Sequence, residues 1–352
     1  MKYLTKSCSG RRSTPPAAAE DSRFIIVVTM MMLLLRPFTL FATDSFLVNG
    51  YLQSRFTDDY RNVTGFAIRR AKLWATGQVP VPGKWFYKVQ GNFRYQNSGS
   101  FTLQDFYGEY DMAGSDYVRF GQMVPDFSLQ RSQPDYEIPV VERSNVVNAL
   151  IPTAETGGRD IGIQSHFSYL HNQLQASVGV FNGNGGNVAG NDDRKFLLIH
   201  RLHFLIPLSA EMKADFGYSL AFRQTSDLAF TRIYGDQHLF RGNDFSWGLE
   251  FFINHPKWEL QSEFIEACLG NQKANGYYVL GDFNLSPKNQ VVASIEKYED
   301  LNSLSSDAPW YILGFNHYIA KNKAKIMFDS LAQFAEGQTN CKSIIQLQLF
   351  FN

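Results

Sequence analysis

The sequence has little charge, few cysteines and no long apolar run. Only 19% of its 352 residues are charged, and 33 Lys and Arg balance 33 Asp and Glu. This balance disfavours both a nucleic-acid-binding protein with a basic field and a disordered acidic chain. Three cysteines are too few for a disulfide scaffold. The longest apolar run, residues 24–35, has twelve residues, which is too short for a transmembrane helix.

Aromatic residues are abundant instead. The chain has 30 Phe, 17 Tyr and 5 Trp, which together make 15% of its residues. A chain this aromatic, without long apolar spans, is typical of two classes of protein. One is a large soluble β-protein, and the other is a transmembrane barrel in which apolar residues alternate with polar lumen residues.

The N-terminal apolar run has the features of an export signal. Five basic residues precede residues 24–35, Arg36 closes the run, and small residues follow at Ala42-Thr43. This arrangement predicts a signal peptide at residues 1–42 with cleavage after Ala42. A single domain would then occupy residues 43–352. A buried core helix and a mis-assigned start codon are the alternatives.

The cysteines add little to this description. Cys8 would leave with the signal peptide, so only Cys268 and Cys341 stay in the mature chain. Their spacing matches no zinc site, and we expect both to be unpaired. One bridge near the loops is the alternative.

Alternation with period two dominates the chain after residue 45. In residues 85–95, for example, Trp85, Tyr87 and Val89 share one face, and Lys88 and Gln90 lie on the other. Segments of about ten residues with this pattern have the length of a tilted strand that crosses a bilayer. We count about sixteen such strands, with predicted spans of 46–57, 64–79, 84–95, 101–111, 115–124, 159–169, 172–182, 194–206, 211–224, 244–255, 257–268, 275–284, 288–298, 309–319, 323–336 and 342–351.

The connections between these strands alternate in length. Short turns such as residues 80–83, 112–114 and 170–171 alternate with longer polar segments such as 125–158 and 225–243. This alternation predicts an all-β fold: an antiparallel up-and-down barrel in the outer membrane, with short periplasmic turns and longer external loops. Sixteen strands leave an aqueous lumen, and an even number returns both termini to the periplasm.

No catalytic or metal-binding pattern occurs in the chain. Nucleophile elbows, P-loops and paired metal-ligand motifs are missing. His200 and His203 would point to opposite faces of a strand, and the Asn- and Gly-rich stretch 182–193 lacks the spacing of a calcium loop. The sequence therefore predicts no enzyme, no catalytic residues, no cofactor and no metal site.

Basic residues concentrate on the lumen face of the early strands. Residues 64–122 contain seven Lys and Arg against four acids, whereas residues 244–298 contain four Lys against seven acids. Cations inside a pore stabilise a passing anion because they replace its hydration shell. The mature chain would carry 27 Lys and Arg against 31 Asp and Glu, so any anion preference depends on where the cations point. The predicted lumen cations are Arg70, Lys72, Lys88, Arg94 and Arg119.

Several short segments in this part of the chain occur in the order seen in one known family. They are residues 66–73, 87–90, 121–122, 125–129, 142–144 and 159–164. With these segments the chain resembles the phosphate-selective porins O and P of Gram-negative outer membranes. The resemblance covers residues 46–170 and returns at the C-terminal strand.

The resemblance implies a sixteen-stranded barrel, a possible homotrimer, whose long third external loop folds inward to narrow the pore. Residues 125–158 would form this loop, with Arg131, Arg143 and Arg159 as candidate constriction residues. The implied partners are outer-membrane lipid and small anions such as phosphate, with no nucleic acid. One departure is that Asp126 stands near the position where the family often has a Lys.

The sequence thus predicts a porin for passive diffusion of small hydrophilic solutes, with a preference for anions or phosphate. The alternative within the same class is a general or carbohydrate-type porin without anion selectivity. A secreted soluble β-rich binding protein is the alternative from another class.

Overall fold

The computed structural model describes residues 46–93, 101–191, 194–235, 239–301, 308–335 and 337–351. The predicted signal peptide, residues 1–42, and the candidate residue Arg94 lie outside the described residues. Within the described part of the chain, no helix is long and apolar enough to span a membrane.

Sixteen strands form one antiparallel sheet. They are β1 (Leu47–Asp58), β2 (Thr64–Gln78), β3 (Lys84–Asn92), β4 (Thr102–Ala113), β5 (Asp116–Met123), β6 (Asp160–Tyr169), β7 (Leu174–Phe181), β8 (Leu197–Pro207), β9 (Lys213–Ala229), β10 (Leu239–His255), β11 (Trp258–Leu269), β12 (Gln272–Ser286), β13 (Asn289–Glu299), β14 (Trp310–Tyr318), β15 (Ala324–Ala335) and β16 (Gln338–Phe351).

The sheet closes on itself because the first strand pairs with the last. The β1–β16 register runs from Gly50 opposite Phe351 to Asp58 opposite Ser343, and every other strand pairs with its neighbours in the chain. Closure leaves no unpaired strand edge, which a membrane would not tolerate. The predicted sixteen-stranded barrel is confirmed.

The two-residue period of the sequence decides which side chains face inward. In β15, Lys325 and Asp329 are buried inside the barrel, whereas Ile326 and Phe328 are about 40% exposed on its outer face. Exposed Phe, Leu, Ile and Val residues recur on the outer face of the other strands. This outer band is the apolar surface that a barrel presents to lipid.

Strands β9 and β10 extend further than the sequence predicted. The predicted loop at 225–243 is wrong over about half of its length, because the two strands pair up to Ala229 and Leu239. A bulge between Phe240 and Gly242 breaks the period of two there, so the alternation could not be followed. The predicted alternation of loop lengths also fails at residues 270–271, a two-residue turn at the same end of the barrel as the long loops.

A second bulge changes the direction of one arginine. In the β1–β2 register Gln53 lies opposite Arg70 and Ser54 lies opposite Ile68, so Arg69 is the extra residue. Strict alternation would place Arg69 and Arg70 on opposite faces. The bulge lets both side chains reach the same carboxylate, that of Glu142, inside the barrel.

The connection between β5 and β6, residues 124–159, folds into the barrel and is called the constriction loop below. It contains two short helices, α1 (Leu129–Ser132) and α2 (Asn145–Leu150), and a third, α3 (Thr231–Tyr234), lies between β9 and β10. Ser128 and Ser144 cap α1 and α2, accepting hydrogen bonds from the backbone N–H groups of Arg131 and Val146. The inward fold of this loop confirms the expectation for residues 125–158.

The second half of the constriction loop packs against the barrel wall through apolar contacts. Val146, Val147 and Leu150 of α2 are almost completely buried, and they belong to one cluster with Ile265 and Leu280 of the wall. Helix α2 lies against β11, β12 and β13. An apolar core therefore fills this part of the lumen, where open barrels hold water.

Candidate functional site

Carboxylates of strands β10–β15, the acidic wall, anchor the constriction loop. The Glu263 carboxylate accepts the backbone N–H groups of Leu129 at 2.9 Å and Gln130 at 2.8 Å. Glu296 accepts the N–H of Asn145 at 3.0 Å in the same way. Hydrogen bonds to a charged acceptor are stronger than neutral ones. The acidic wall thus supplies the loop's backbone with partners.

One more carboxylate of this wall has the same role. The Asp329 carboxylate, 1% exposed, accepts the backbone N–H of Val141 at 2.8 Å. Together with the apolar packing of α2, these bonds cover part of the acidic wall with protein. Glu263 is 2% exposed beneath the loop, whereas Glu296 and Asp329 also border a second cavity of about 460 Å³.

The opposite wall, strands β1–β5, is called the basic wall and holds the loop through Glu142. This one carboxylate pairs with Arg55 at 2.7 Å, with Arg70 at 3.0 Å and with Arg69. Burial would raise the pKa of Glu142, but the three guanidinium groups outweigh it and hold the pKa well below its ordinary value. Glu142 therefore stays ionised, and the loop is tied to both walls.

One open space lies against the basic wall. A cavity of about 490 Å³ is bounded by the first half and the last residue of the constriction loop and by residues of β1–β8. Six of the eight cations predicted from the sequence line it: Lys72, Lys88, Arg119, Arg131, Arg143 and Arg159. Arg70 lies behind this surface, 7% exposed, and contacts Gln53 and Glu142.

Most of these cations share a carboxylate with another cation. Asp105 pairs with Lys88 at 2.8 Å and with Arg159 at 3.2 Å. Asp135, in the loop, pairs with Lys72 and Arg143. Because each carboxylate compensates one charge only, both groups keep excess positive charge beside the cavity.

Arg119 is compensated more fully. It pairs with Glu109 at 2.5 Å, and its guanidinium carbon lies 4.3 Å from the ring centre of Tyr107 and 4.9 Å from that of Tyr117. These two rings and the carboxylate hold the guanidinium in place. Arg119 is therefore a fixed part of the wall.

Arg131 differs from the other cavity cations because no described residue forms an ion pair with it. Its terminal nitrogen donates to the carbonyl of Gly158 at 2.6 Å, and its buried Nε has no hydrogen-bond partner. Gly158 has a φ of 74°, and a Cβ at that position would collide with the Arg131 guanidinium. The end of the constriction loop therefore adopts a backbone conformation that leaves room for the Arg131 guanidinium, which has no ion-pair partner among the described residues.

Asp126 stands near the position where the family often has a Lys. Its charge is neutralised by Arg201, which was not among the candidates selected from the sequence. The Arg201 guanidinium lies 2.8 Å from Asp126 and 2.8 Å from Glu250. Burial would raise the pKa of Asp126, but Arg201 and hydrogen bonds from Ser177 and Ser132 outweigh it and lower the pKa to about 2. The carboxylate near the neck therefore belongs to a buried ion-pair network.

Sequence reasoning missed three arginines that matter here: Arg55, Arg69 and Arg201. Alternation places Arg55 and Arg201 on lumen faces, so this signal was available for both. Arg69 could not be found in this way because the β2 bulge turns it inward. The carboxylate partners of all three lie between 49 and 87 residues away in the chain.

The remaining polar candidates form no site. His200 contacts the Ser177 carbonyl and the Tyr218 hydroxyl, whereas His203 contacts Asp215. Cys268 and Cys341 are free, as expected. Among the described residues, no group of His, Cys, Asp and Glu is arranged to hold a metal ion.

A separate cavity of about 690 Å³ opens near the short turns. Glu137 of the loop and Glu259 and Asp282 of the acidic wall line it, together with Lys257 and Lys321. This part of the acidic wall is not covered by the loop. A solute that leaves the basic cavity at this end would meet carboxylates.

The comparison with protein families decides the class of the chain. The sequence profile of the phosphate-selective porin O and P family matches residues 47–343, which span the barrel except for the second half of β16. The chain belongs to this family. It is an outer-membrane porin, a channel for passive diffusion rather than an enzyme, and the resemblance seen in its short segments is confirmed. The alternative of a secreted soluble β-protein is therefore wrong.

Solved structures agree on the fold. The barrel is similar to an anion-selective porin from Comamonas acidovorans, with 12% identity over 88% of this chain and 100% of that one and a TM-score of 0.62. It is also similar to OprB of Pseudomonas putida, with 10% identity over 92% and 96% and a TM-score of 0.64.

A third similar structure is the trimer form of OmpT from Vibrio cholerae, with 9% identity over 88% of this chain and 100% of that chain and a TM-score of 0.59. At such identities the likeness concerns the fold alone. A comparison with curated protein sequences found no match.

Proposed function

We propose that this porin prefers anions, phosphate among them, and that the constriction loop and the basic wall select them. The carrying observation is the excess of cations at the constriction. Ten cations face six carboxylates there, an excess of four positive charges among the described residues. The cations are Arg55, Arg69, Arg70, Lys72, Lys88, Arg119, Arg131, Arg143, Arg159 and Arg201, and the carboxylates are Asp105, Glu109, Asp126, Asp135, Glu142 and Glu250.

An uncompensated cation in a narrow, partly dry site is costly, and a passing anion offsets that cost. Arg131 is the strongest candidate for such a contact, because it lines the cavity without an ion-pair partner. Several cations of the same cavity lie close to it, so an anion would pass from one to the next. Planar guanidinium groups suit the oxygens of phosphate and carboxylate.

The test is the reversal potential of single channels in a planar bilayer under a KCl gradient. We expect the wild-type channel to favour chloride, and Arg131→Gln to lower the chloride-to-potassium permeability ratio about threefold. Arg241→Gln is the matched control, because Arg241 is exposed and pairs with Asp227 away from the cavity. Its ratio should equal that of the wild type. A wild-type channel that favours potassium and is not blocked by phosphate would refute the proposal.

A general porin without anion selectivity is the second candidate. The observation in its favour is the open cavity near the short turns, where Glu137, Glu259 and Asp282 outnumber two lysines. Liposome swelling with neutral sugars distinguishes the two. Size-dependent sugar uptake with a permeability ratio near one would favour the general porin.

We also propose that residues 1–42 are an export signal and that both ends of the barrel lie in the periplasm with the short turns. The motivation is the basic and apolar pattern before Ala42 and the even number of strands. N-terminal sequencing of the outer-membrane protein should begin at Thr43. An Asn172→Cys variant, in a short turn and with Cys268 and Cys341 replaced by Ser, should react with an impermeant thiol reagent only after the outer membrane is opened.

A homotrimer is the proposed assembly, in line with the trimer form of the similar Vibrio cholerae protein. The native mass of the detergent-extracted protein, corrected for bound detergent, should be about three times that of one chain. A mass equal to one chain would contradict it.

A further inference from the structure

Four aromatic rings cluster inside the barrel, where the neighbouring lumen positions are polar. Tyr51 of β1, Trp74 of β2, Phe350 of β16 and Tyr136 of the constriction loop contact one another, with ring centres 5.2 to 6.2 Å apart. The adjacent inward positions on β1 and β2 are Gln53 and Lys72. Lumen-facing positions are usually polar, so this ring cluster is an exception that needs a cause.

Three of the four rings reach the basic cavity. Tyr51, Trp74 and Tyr136 line it, and the planes of Trp74 and Tyr136 differ by only 6°. Trp74 and Tyr136 keep part of their surface exposed, whereas Tyr51 is 2% exposed. The cavity therefore has an apolar, flat side next to its charged side.

The cations adjoin these rings directly. The Lys72 nitrogen lies 5.8 Å from the centre of the Tyr51 ring, and the Tyr51 hydroxyl donates to Asp135 at 3.2 Å. The same Asp135 carboxylate faces Lys72, Arg143 and, at 3.5 Å, Arg70. Because Arg70 also pairs with Glu142 at 3.0 Å, Asp135 is shared mainly by Lys72 and Arg143, and this pair of cations keeps an excess of one positive charge beside the rings.

Inorganic phosphate would contact only the charged side of this cavity. It can bind the cations, but it has no apolar surface for the rings. A cavity of about 490 Å³ is in the range that holds a small organic molecule. A flat apolar ring attached to an anionic group would contact both sides at once.

We propose that Trp74, Tyr136 and the adjacent Lys72 and Arg143 form a binding subsite for small aromatic carboxylates on their way through the pore. The proposal rests on the proposed anion preference and adds a substrate class to it. The ring stacks on Trp74 and Tyr136, and the carboxylate lies against the cations that Asp135 leaves uncompensated. The competing explanation is that the rings only anchor the constriction loop through Tyr136.

The test is the block of the chloride current through single channels by benzoate, with acetate as the anion of equal charge that lacks a ring. In the wild type we expect half-block at a benzoate concentration about three to ten times lower than for acetate, the range that one aromatic contact supplies. Trp74→Leu should bring the two concentrations together and leave the chloride preference in place. Trp85→Leu, a change on the outer face beside Tyr110, is the matched control and should keep the difference.

The possible outcomes distinguish a failure of the aromatic subsite from a failure of the proposed anion preference. Equal block by benzoate and acetate in a chloride-selective wild-type channel would overturn the subsite alone, while a potassium-selective channel would overturn the proposed function. A Trp74→Leu channel that is still blocked more strongly by benzoate than by acetate would show that the rings only anchor the constriction loop. If Trp74→Leu does not fold, Tyr136→Leu is measured in its place, and the wild-type comparison decides independently of both.

Discussion

The basic wall and the acidic wall face each other across one lumen, but the constriction loop contacts them differently. On the acidic wall, Glu263 and Asp329 accept backbone N–H groups of the loop, and α2 adds an apolar contact. On the basic wall, the loop offers the carboxylates of Asp135 and Glu142, and the cations outnumber them. The opposite charges of the two walls therefore have different roles at the loop: the acidic wall binds its backbone, and the basic wall binds its carboxylates and lines the cavity that holds most of the candidate cations.

This difference bears on how selectivity can arise without a favourable net charge. A mature chain that begins at Thr43 carries more acids than bases. The Glu263 carboxylate beneath the loop is 2% exposed, whereas the cations of the basic wall line the cavity. The charge that a solute meets in the lumen depends on which charged side chains line the cavity, and not on the net charge of the chain.

The largest expected effect comes from detaching the loop from the acidic wall. Val147 of α2 is completely buried in the contact, so Val147→Asp should expel the helix from it. We expect single-channel conductance to rise about two- to threefold, with anion preference falling because the acidic wall becomes wet.

Val63→Asp is the control, because Val63 is 56% exposed in the connection between β1 and β2. Its conductance should equal that of the wild type. An unchanged conductance in Val147→Asp would mean that the loop does not limit the pore.

A matched pair of carboxylates tests the comparison of the two walls directly. Asp105→Asn removes a charge that lines the cavity, and Glu263→Gln removes one beneath the loop. We expect the first to raise the chloride-to-potassium permeability ratio about twofold, because Lys88 and Arg159 lose their shared partner.

Glu263→Gln should leave this ratio within experimental error. Its effect should appear in stability instead, as a lower temperature at which the heat-modifiable barrel unfolds on a gel, because two backbone N–H groups lose a charged acceptor. Equal shifts in the permeability ratio for both variants would show that the acidic wall is not covered.

The smallest effect is expected at the β2 bulge. Arg69→Ala removes an inward cation that shares Glu142 with Arg55 and Arg70, so the permeability ratio should fall by a factor of about 1.5. Strict alternation would point Arg69 at lipid and predicts no change. Arg61→Ala, in the exposed connection after β1, is the control, and its ratio should match the wild type.

Part of the candidate site follows from the sequence. Alternation selected Lys72, Lys88 and Arg119 as lumen cations. The family resemblance selected Arg131, Arg143 and Arg159 in the inward loop. All six line the cavity. The same reasoning could not find the carboxylates that these cations share. Asp105 lies on β4 and Asp135 lies in the constriction loop, and both come next to the cations only when the barrel has folded. Sequence reasoning also could not distinguish Arg131 from the neighbouring cations, because the lack of an ion-pair partner is visible only in the folded site.

The sequence by itself determined the barrel, because a period of two over sixteen segments fixes which side chains face lipid and which face the lumen, whatever their partners. It also determined that cations gather on the early strands and acids on the later ones. The tertiary structure alone decided that the loop covers part of the acidic wall, that a bulge turns Arg69 inward and that four rings meet beside Lys72. The reason is physical: alternation is a local property of each strand, whereas covering, pairing and clustering arise between segments far apart in the chain and exist only once the barrel has closed.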